Sequence, residues 1–300
     1  MMKHNKIFWR AGQEITPETF IQADDYICRQ QNLIRRLIAR QYYGLLPRND
    51  GGSSLSIIAS LNNREVHVEE LICTGITGAG YLIEIDNDVL ASVRNKRLLV
   101  PESSSKDYYV VLRIHPFKQT LIEPVEDEAT PLSHPLYEFD VKSLDNIEDG
   151  ELSILKIDNG NQPPKLDADY IPPCMSINSC RKLPEIYGQI KQITSEIQAR
   201  VNLKKEQFRE LIYPLRMLYF ELDEFPLSEP PVSLIYLIKK IIKTLIFFIP
   251  DIRHVKEPDL SAEYNHNDMA DIFKSLVKYL HEIQLILSTE EEVEDLTPQI

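Results

Sequence analysis

The sequence predicts an α+β protein, an antiparallel β-sandwich domain followed by an α-helical bundle, and three observations predict it. Between about residues 50 and 158, short apolar runs are divided by turn residues, with no long helical pattern among them. From Ile186 onward, apolar residues recur at three- and four-residue intervals, the spacing of a helical seam. Between the two regions stand Asn159-Gly160-Asn161-Gln162-Pro163-Pro164 and Pro172-Pro173, and consecutive prolines neither donate ladder hydrogen bonds nor enter a helix interior. A chain of 300 residues is also long enough for two domains.

Thr16 followed by Pro17 marks a helix start, because threonine caps free amides and proline tolerates the first turn. The helix is expected to reach about Tyr42, with Phe20, Ile27, Ile34, Leu37 and Ile38 on one stripe and arginines on its flanks, and to end at Gly44 and Pro47. Asp50-Gly51-Gly52-Ser53 opens the β region. Glu65-Val66-His67-Val68-Glu69 alternates with period two, Tyr81 to Ile85 follows a glycine-rich turn, and Tyr108 to His115 and Glu151 to Ile157 are rich in strand formers. The expected domain boundary lies near 170–175.

In the second domain Ile186, Ile190, Ile193 and Ile197 form a stripe that Phe208, Leu211, Leu215, Leu218 and Leu222 continue, with a kink expected at Pro214. A second helix is expected over about Val232 to Phe248. A third starts near Asn267 and carries Met269, Ile272, Phe273, Leu276, Leu280, Ile283 and Leu287, giving way near Ser288 to an acidic, disordered tail of Glu290-Glu291-Glu292, Glu294 and Asp295. The resulting division is 1–48 as an N-terminal segment and helix packed on the β domain, 49–172 as the β-sandwich, 173–289 as a helical neck and 290–300 as the tail. Three helices of this length cannot cover so many apolar positions alone, which predicts a homotrimer. Its seam is expected at Ile186, Ile190, Ile193, Ile197, Leu276, Leu280 and Ile283.

A formal charge of -13 excludes a general nucleic-acid surface. The charge is uneven: residues 1–48 hold eight Lys or Arg against four Asp or Glu, whereas 123–169 hold three against thirteen. The basic end is suited to an acidic protein partner, or its arginines Arg29, Arg35, Arg36 and Arg40 form a solvated helix face. The four cysteines, Cys28, Cys73, Cys174 and Cys180, have no zinc-site spacing and read as reduced thiols. The apolar run Ile7-Phe8-Trp9 is too short for a signal peptide, and Val232 to Pro250 is interrupted by Lys239, Lys240 and Lys243, which rules it out as a spanning helix. A cytoplasmic location without membrane insertion is expected.

Catalytic patterns fail for stated reasons. Gly75-Ile76-Thr77-Gly78-Ala79-Gly80 lacks GxGxxG spacing and a P-loop lysine, and it precedes a strand, so it reads as a hairpin turn. The seven histidines hold no HExxH, no GxSxG presents a serine, and Asp24-Asp25 is an ordinary helix-surface pair. No enzyme activity, metal or cofactor is expected.

Three patches carry a family resemblance. Lys6-Ile7-Phe8-Trp9-Arg10-Ala11-Gly12 with Thr16-Pro17-Glu18-Thr19-Phe20-Ile21-Gln22-Ala23-Asp24-Asp25-Tyr26, closed by Tyr43-Gly44, resembles the N-terminal W-x-x-G and Pro-x-x-Phe-x-x-x-Asp signature of the TssK family of type VI secretion baseplate proteins. Ile171-Pro172-Pro173-Cys174-Met175-Ser176-Ile177 with Leu183 resembles its passage from β domain to neck. Ala262-Glu263-Tyr264-Asn265-His266-Asn267-Asp268 resembles its Tyr-x-His-x-Asp entry to the last neck helix. The chain departs from the family in having Thr19 where a histidine is frequent, and in ending where the family's C-terminal head domain would begin.

The resemblance implies a shell related to the shoulder of phage receptor-binding proteins, a trimer, and a structural role in which the trimer attaches to the TssF/TssG wedge and supports the contractile tail. It implies Trp9, Pro17, Phe20 and Arg29 as wedge-binding residues. The alternative placement has Trp9 and Phe20 pinning the first helix to the sandwich. It also implies a place at the inner face of the cell envelope, with any membrane-complex contact made through the neck end, the tail or an adaptor. The competing reading is a phage-tail-like receptor- or carbohydrate-binding protein, which is expected to expose aromatic residues on its β domain.

Overall fold

The computed structural model describes residues 6–39, 42–47, 53–102, 105–122, 132–160, 163–249, 252 and 264–294. The chain divides into two compact units, residues 1–46 with 54–168, and residues 47–53 with 169–300. The division after Ala168 lies just ahead of the Pro172-Pro173 pair, where stiff, donor-poor backbone ends the ladder.

In the first unit, α1 (Pro17–Ala39) precedes nine strands: β1 (Gly44–Leu45), β2 (Leu55–Asn62), β3 (Glu65–Ile76), β4 (Leu82–Ile85), β5 (Arg97–Leu99), β6 (Asp107–Ile122), β7 (Leu132–Lys142), β8 (Glu151–Asp158) and β9 (Lys165–Leu166), with the short α2 (Asn87–Ser92) between β4 and β5. All strand pairs are antiparallel. One sheet gathers β1, β2, β4 and β5 around β3, and the other runs β7-β6-β8-β9.

Periodicity accounts for the two kinds of strand. The start of β3 buries Val66 and Val68 between the outward Glu65 and Glu69, the alternation of a sheet with one wet face. Tyr108 to Leu112 of β6 is buried continuously, as is most of β8, so both lie centrally with both faces covered. Where the sheets approach, Leu152 of β8 lies against Gly75 of β3, and a Cβ at Gly75 would stand 3.0 Å from both Leu152 Cδ2 and the Gly44 carbonyl oxygen. The Tyr137 hydroxyl of β7 accepts the Glu84 N–H of β4 at 3.3 Å.

The glycine-rich run is the β3–β4 turn: Thr77 N–H donates to the Tyr81 carbonyl at 2.9 Å and Gly80 N–H to the Thr77 carbonyl at 2.8 Å. Ala79 N–H donates to the Asp149 carbonyl at 2.7 Å, so these three amides are engaged by the protein's own backbone.

Among the described residues the second unit holds four α-helices: α3 (Lys182–Leu203), α4 (Arg209–Asp223), α5 (Pro231–Phe248) and α6 (Ala270–Glu294). The stripe expected to run unbroken from Ile186 to Leu222 is divided by turns over 204–208, and Pro214 sits inside α4. The last helix continues past Ser288 through the acidic run to Glu294; residues 295–300 lie outside the described residues. A chain of contacts ties the entry of α6 to that of α3. Tyr170 donates its O–H to the Asn267 carbonyl at 3.0 Å, and Lys182 Nζ donates to the Tyr170 carbonyl at 3.0 Å. Tyr170, just ahead of the second patch of the sequence resemblance, thus meets Asn267 of the third; Ala262 and Glu263 lie outside the described residues.

Candidate functional site

The N-terminal helix starts where its residue types require. Thr19 N–H donates to Thr16 Oγ1 and Thr16 N–H to Thr19 Oγ1, both at 3.4 Å, a reciprocal cap in which Thr19 fills the place usually held by Glu or Gln. The departure at Thr19 therefore serves the helix start. Helix-start amides and the Thr16 hydroxyl hold the Glu18 carboxyl below its ordinary value.

The helix is turned with its polar side inward. Asn32 is buried, and Asp25, Cys28, Arg29 and Arg35 are half-buried. The Arg29 guanidinium lies 5.4 Å from the Phe117 ring centre, and Arg35 donates to Asn32 Oδ1 at 3.1 Å. At Gly80, with φ of +85°, backbone meets backbone: an added Cβ would stand 2.5 Å from the Asn32 carbonyl oxygen and 3.2 Å from Arg36 Cβ.

The apolar stripe looks outward. Phe20, Ile21, Ile27, Leu33 and Ile34 are each more than half exposed, and Leu37 is 75% exposed. The side chain of Ile38 lies outside the described residues. Ahead of the helix, Phe8 is 76% and Trp9 50% exposed. Covering an aliphatic side chain of this size is worth about 1.5–3 kcal/mol, so a run of such residues on one helix is a sizeable apolar patch rather than scattered surface leucine.

Of the four expected wedge residues, Trp9, Pro17 and Phe20 are exposed and none is part of the core, while Arg29 is engaged by Phe117.

The neck seam requires a correction. Ile190, Ile193 and Ile197 of α3 and Leu276, Leu280 and Ile283 of α6 are all buried within the chain's own bundle, where α3 packs on α6. Ile186 alone of the seven is half-buried. Side chains already covered by their own chain have no surface to offer another. The expectation had counted three helices, whereas the four present cover these stripes. Exposed apolar residues of the second unit lie elsewhere, at Tyr213, Met217 and Phe220 of α4 and Tyr236 and Phe247 of α5. Sequence reasoning passed over them because they fall between the buried stripe positions.

Among the described residues no cluster of His, Cys, Asp or Glu is arranged to hold a metal ion, and no helix is long and apolar enough to cross a membrane. The buried Cys73 thiol is pushed up to about 12 by burial alone, the state of an unreactive core thiol.

No protein-family model and no curated protein matches the chain. Solved structures do. A crystal structure of TssK aligns over 94% of this chain and 70% of its own at 13% identity, with a TM-score of 0.67. A chain in the cryo-electron microscopy structure of the type VI secretion system TssK-TssF-TssG baseplate subcomplex aligns over 95% of this chain and 100% of its own at 14% identity, with a TM-score of 0.57. TssK of the EAEC type VI secretion system, in complex with a nanobody, aligns over 89% and 68% at 13% identity, with a TM-score of 0.53. At these identities the likeness is one of architecture, and it runs from the N-terminal helix through both units: the chain has the fold of TssK.

Proposed function

We propose that this chain is a non-enzymatic structural subunit of a type VI secretion baseplate, a homotrimer that attaches to a wedge of TssF and TssG and supports the contractile tail. The observation that carries the reading is the outward apolar face of α1. Ile27 and Ile34 are seven residues apart, a heptad spacing, and Leu37 lies one turn beyond Ile34. Three such helices meeting around an axis bury what one chain leaves in water. The fold shared with a chain of the TssK-TssF-TssG subcomplex supports the partners. The sheets are read as a sandwich-like shell and the four helices as the neck, with the molecule working in the cytoplasm at the inner face of the envelope.

Exposed aromatics separate this reading from a carbohydrate-binding tail protein. Among the described residues they lie at Phe8, Trp9 and Phe20 and in the helical unit, and the one on the strands, Phe117, has the Arg29 guanidinium over its ring. A sugar site would need such rings free on the β surface.

Two variants separate the trimer from the wedge. Ile27→Glu with Ile34→Glu places charge on the stripe, and light scattering is expected to show the trimer falling to the mass of one chain, 34.7 kDa, with circular dichroism unchanged. Trp9→Ala with Phe20→Ala is expected to keep the trimer but lose co-purification with TssF and TssG. A wild-type protein that is monomeric at micromolar concentration, or wedge capture that survives the second pair, overturns the corresponding part.

A further inference from the structure

The second unit carries a groove of about 560 Å³ lined by Pro214 of α4 and by Tyr236, Lys239, Lys240, Lys243, Thr244, Phe247 and Phe248 of α5. We propose that this groove is a docking site for a short, acidic, amphipathic helix of a partner protein, an interface separate from the α1 stripe.

Three features define the occupant. The first is charge: Lys239, Lys240 and Lys243 share one stretch of α5 in a chain whose net charge is -13, so this groove gathers cations on an otherwise acidic molecule. Lys240 already holds a carboxylate, Glu221 of α4, at 2.9 Å, which shows the kind of group that this face accepts. The second is apolar surface. Tyr236 and Phe247 are 64% and 71% exposed, and Phe247 meets Phe248 edge to face at 4.9 Å. The third is length. Tyr236 and Phe247 stand eleven positions apart on one helix, about 16 Å at helical rise, with the lysines between them. A helix of about three turns, apolar on one side with carboxylates along the flank, matches that order.

The concave shape and the strongly negative net charge disfavour a flat anionic membrane as the occupant. Pro214, inside α4, lines the groove from the facing helix.

The test uses the full chain and a fluorescein-labelled helical peptide of four turns, with leucine and phenylalanine on one face and glutamates on the flank, beside a twin with lysines in place of the glutamates. Fluorescence anisotropy is expected to show saturable binding of the acidic peptide alone. Lys243→Glu and, separately, Phe247→Ser are expected to weaken it about tenfold each. Both residues are exposed, so the fold tolerates the changes, and an unchanged melting temperature verifies that. Four results overturn the proposal: no binding to wild type, equal binding of both peptides, binding unaffected by either substitution, or wild-type sedimentation with phosphatidylglycerol vesicles that Lys243→Glu abolishes. A fall in assembly mass with Lys243→Glu also overturns it, by assigning the face to contact between copies. Loss of the trimer on mutating α1 leaves this test untouched.

Discussion

Glu151 is the residue whose placement departs most from its chemistry. Its side chain is fully covered on β8, yet it accepts from Arg113 at 2.6 Å and from Lys142 at 2.7 Å, and its second oxygen takes the Glu148 N–H at 2.9 Å. Every lone pair direction that burial removes from water is answered, which is the condition for keeping a charge inside. Burial is the largest single influence and lowers the pKa of Arg113 and of Lys142, but the carboxylates around them, Glu151 and Glu148 with Asp140 near Arg113, together outweigh it and both are raised. Glu151→Ala would strand two cations that remain partly open to solvent, so the cost falls below that of a fully buried pair, at about 2–3 kcal/mol. Urea unfolding is the measurement, and an unchanged midpoint would show that the network is not built as described. None of this was legible beforehand. Glu151 opens a run read as a strand, but a single strand does not reveal that β6 and β7 bring Arg113 and Lys142 to it, from 38 and 9 residues away.

At the scale of elements, α1 shows how far periodicity reaches. The stripe of Phe20, Ile27, Ile34 and Leu37 was legible from spacing, and so was the start at Thr16-Pro17, but which side of the helix faces the β domain was not. Spacing identifies a face and says nothing of what it is turned toward. The contact that decides this is polar, and its key is Gly80, read correctly as a turn residue but with no sign in the sequence that a helix would rest on it. Gly80→Ala forces a left-handed φ on a side-chain-bearing residue and drives its Cβ into the Asn32 carbonyl, a loss of about 2 kcal/mol or more. Faster tryptic cleavage at Arg29 and Arg35, with a lowered melting temperature, is the expected outcome; identical digestion of wild type and variant would mean that α1 does not rest on the turn. In the neck the same limit applied in reverse, because Ile190, Ile193 and Ile197 were correctly placed on one stripe whose partner proved to be α6 of the same chain. β7 was not foreseen at all. Ser133, His134 and Pro135 break its alternation at the start, and its place is set by pairing along nearly the whole of β6.

For the whole molecule, the α+β class and the order of β region before the helical region were legible, since each rests on local punctuation. What was not legible is pairing at a distance, which no local pattern encodes. Ion pairs in both units set a common response to acid. Lys142 holds the Glu148 carboxyl below its ordinary value of 4.5, and Lys274, 2.9 Å away, holds Asp169 below 3.8. Carboxylates with depressed folded values contribute fully above their unfolded values and lose that contribution as pH falls through the folded ones. The melting temperature is therefore expected to be level from neutral pH to about 5 and to drop below about 4, by calorimetry. A stability that rises on acidification would contradict the assignment. The tie from Tyr170 to Asn267 joins groups 97 residues apart in sequence. During synthesis the residues that α6 will cover on α3 leave the ribosome long before their partner exists. Until then the nascent neck holds a stretch of bare isoleucines, the kind of intermediate on which chaperones act, and closure of that unit is a late and slow event in the life of each chain.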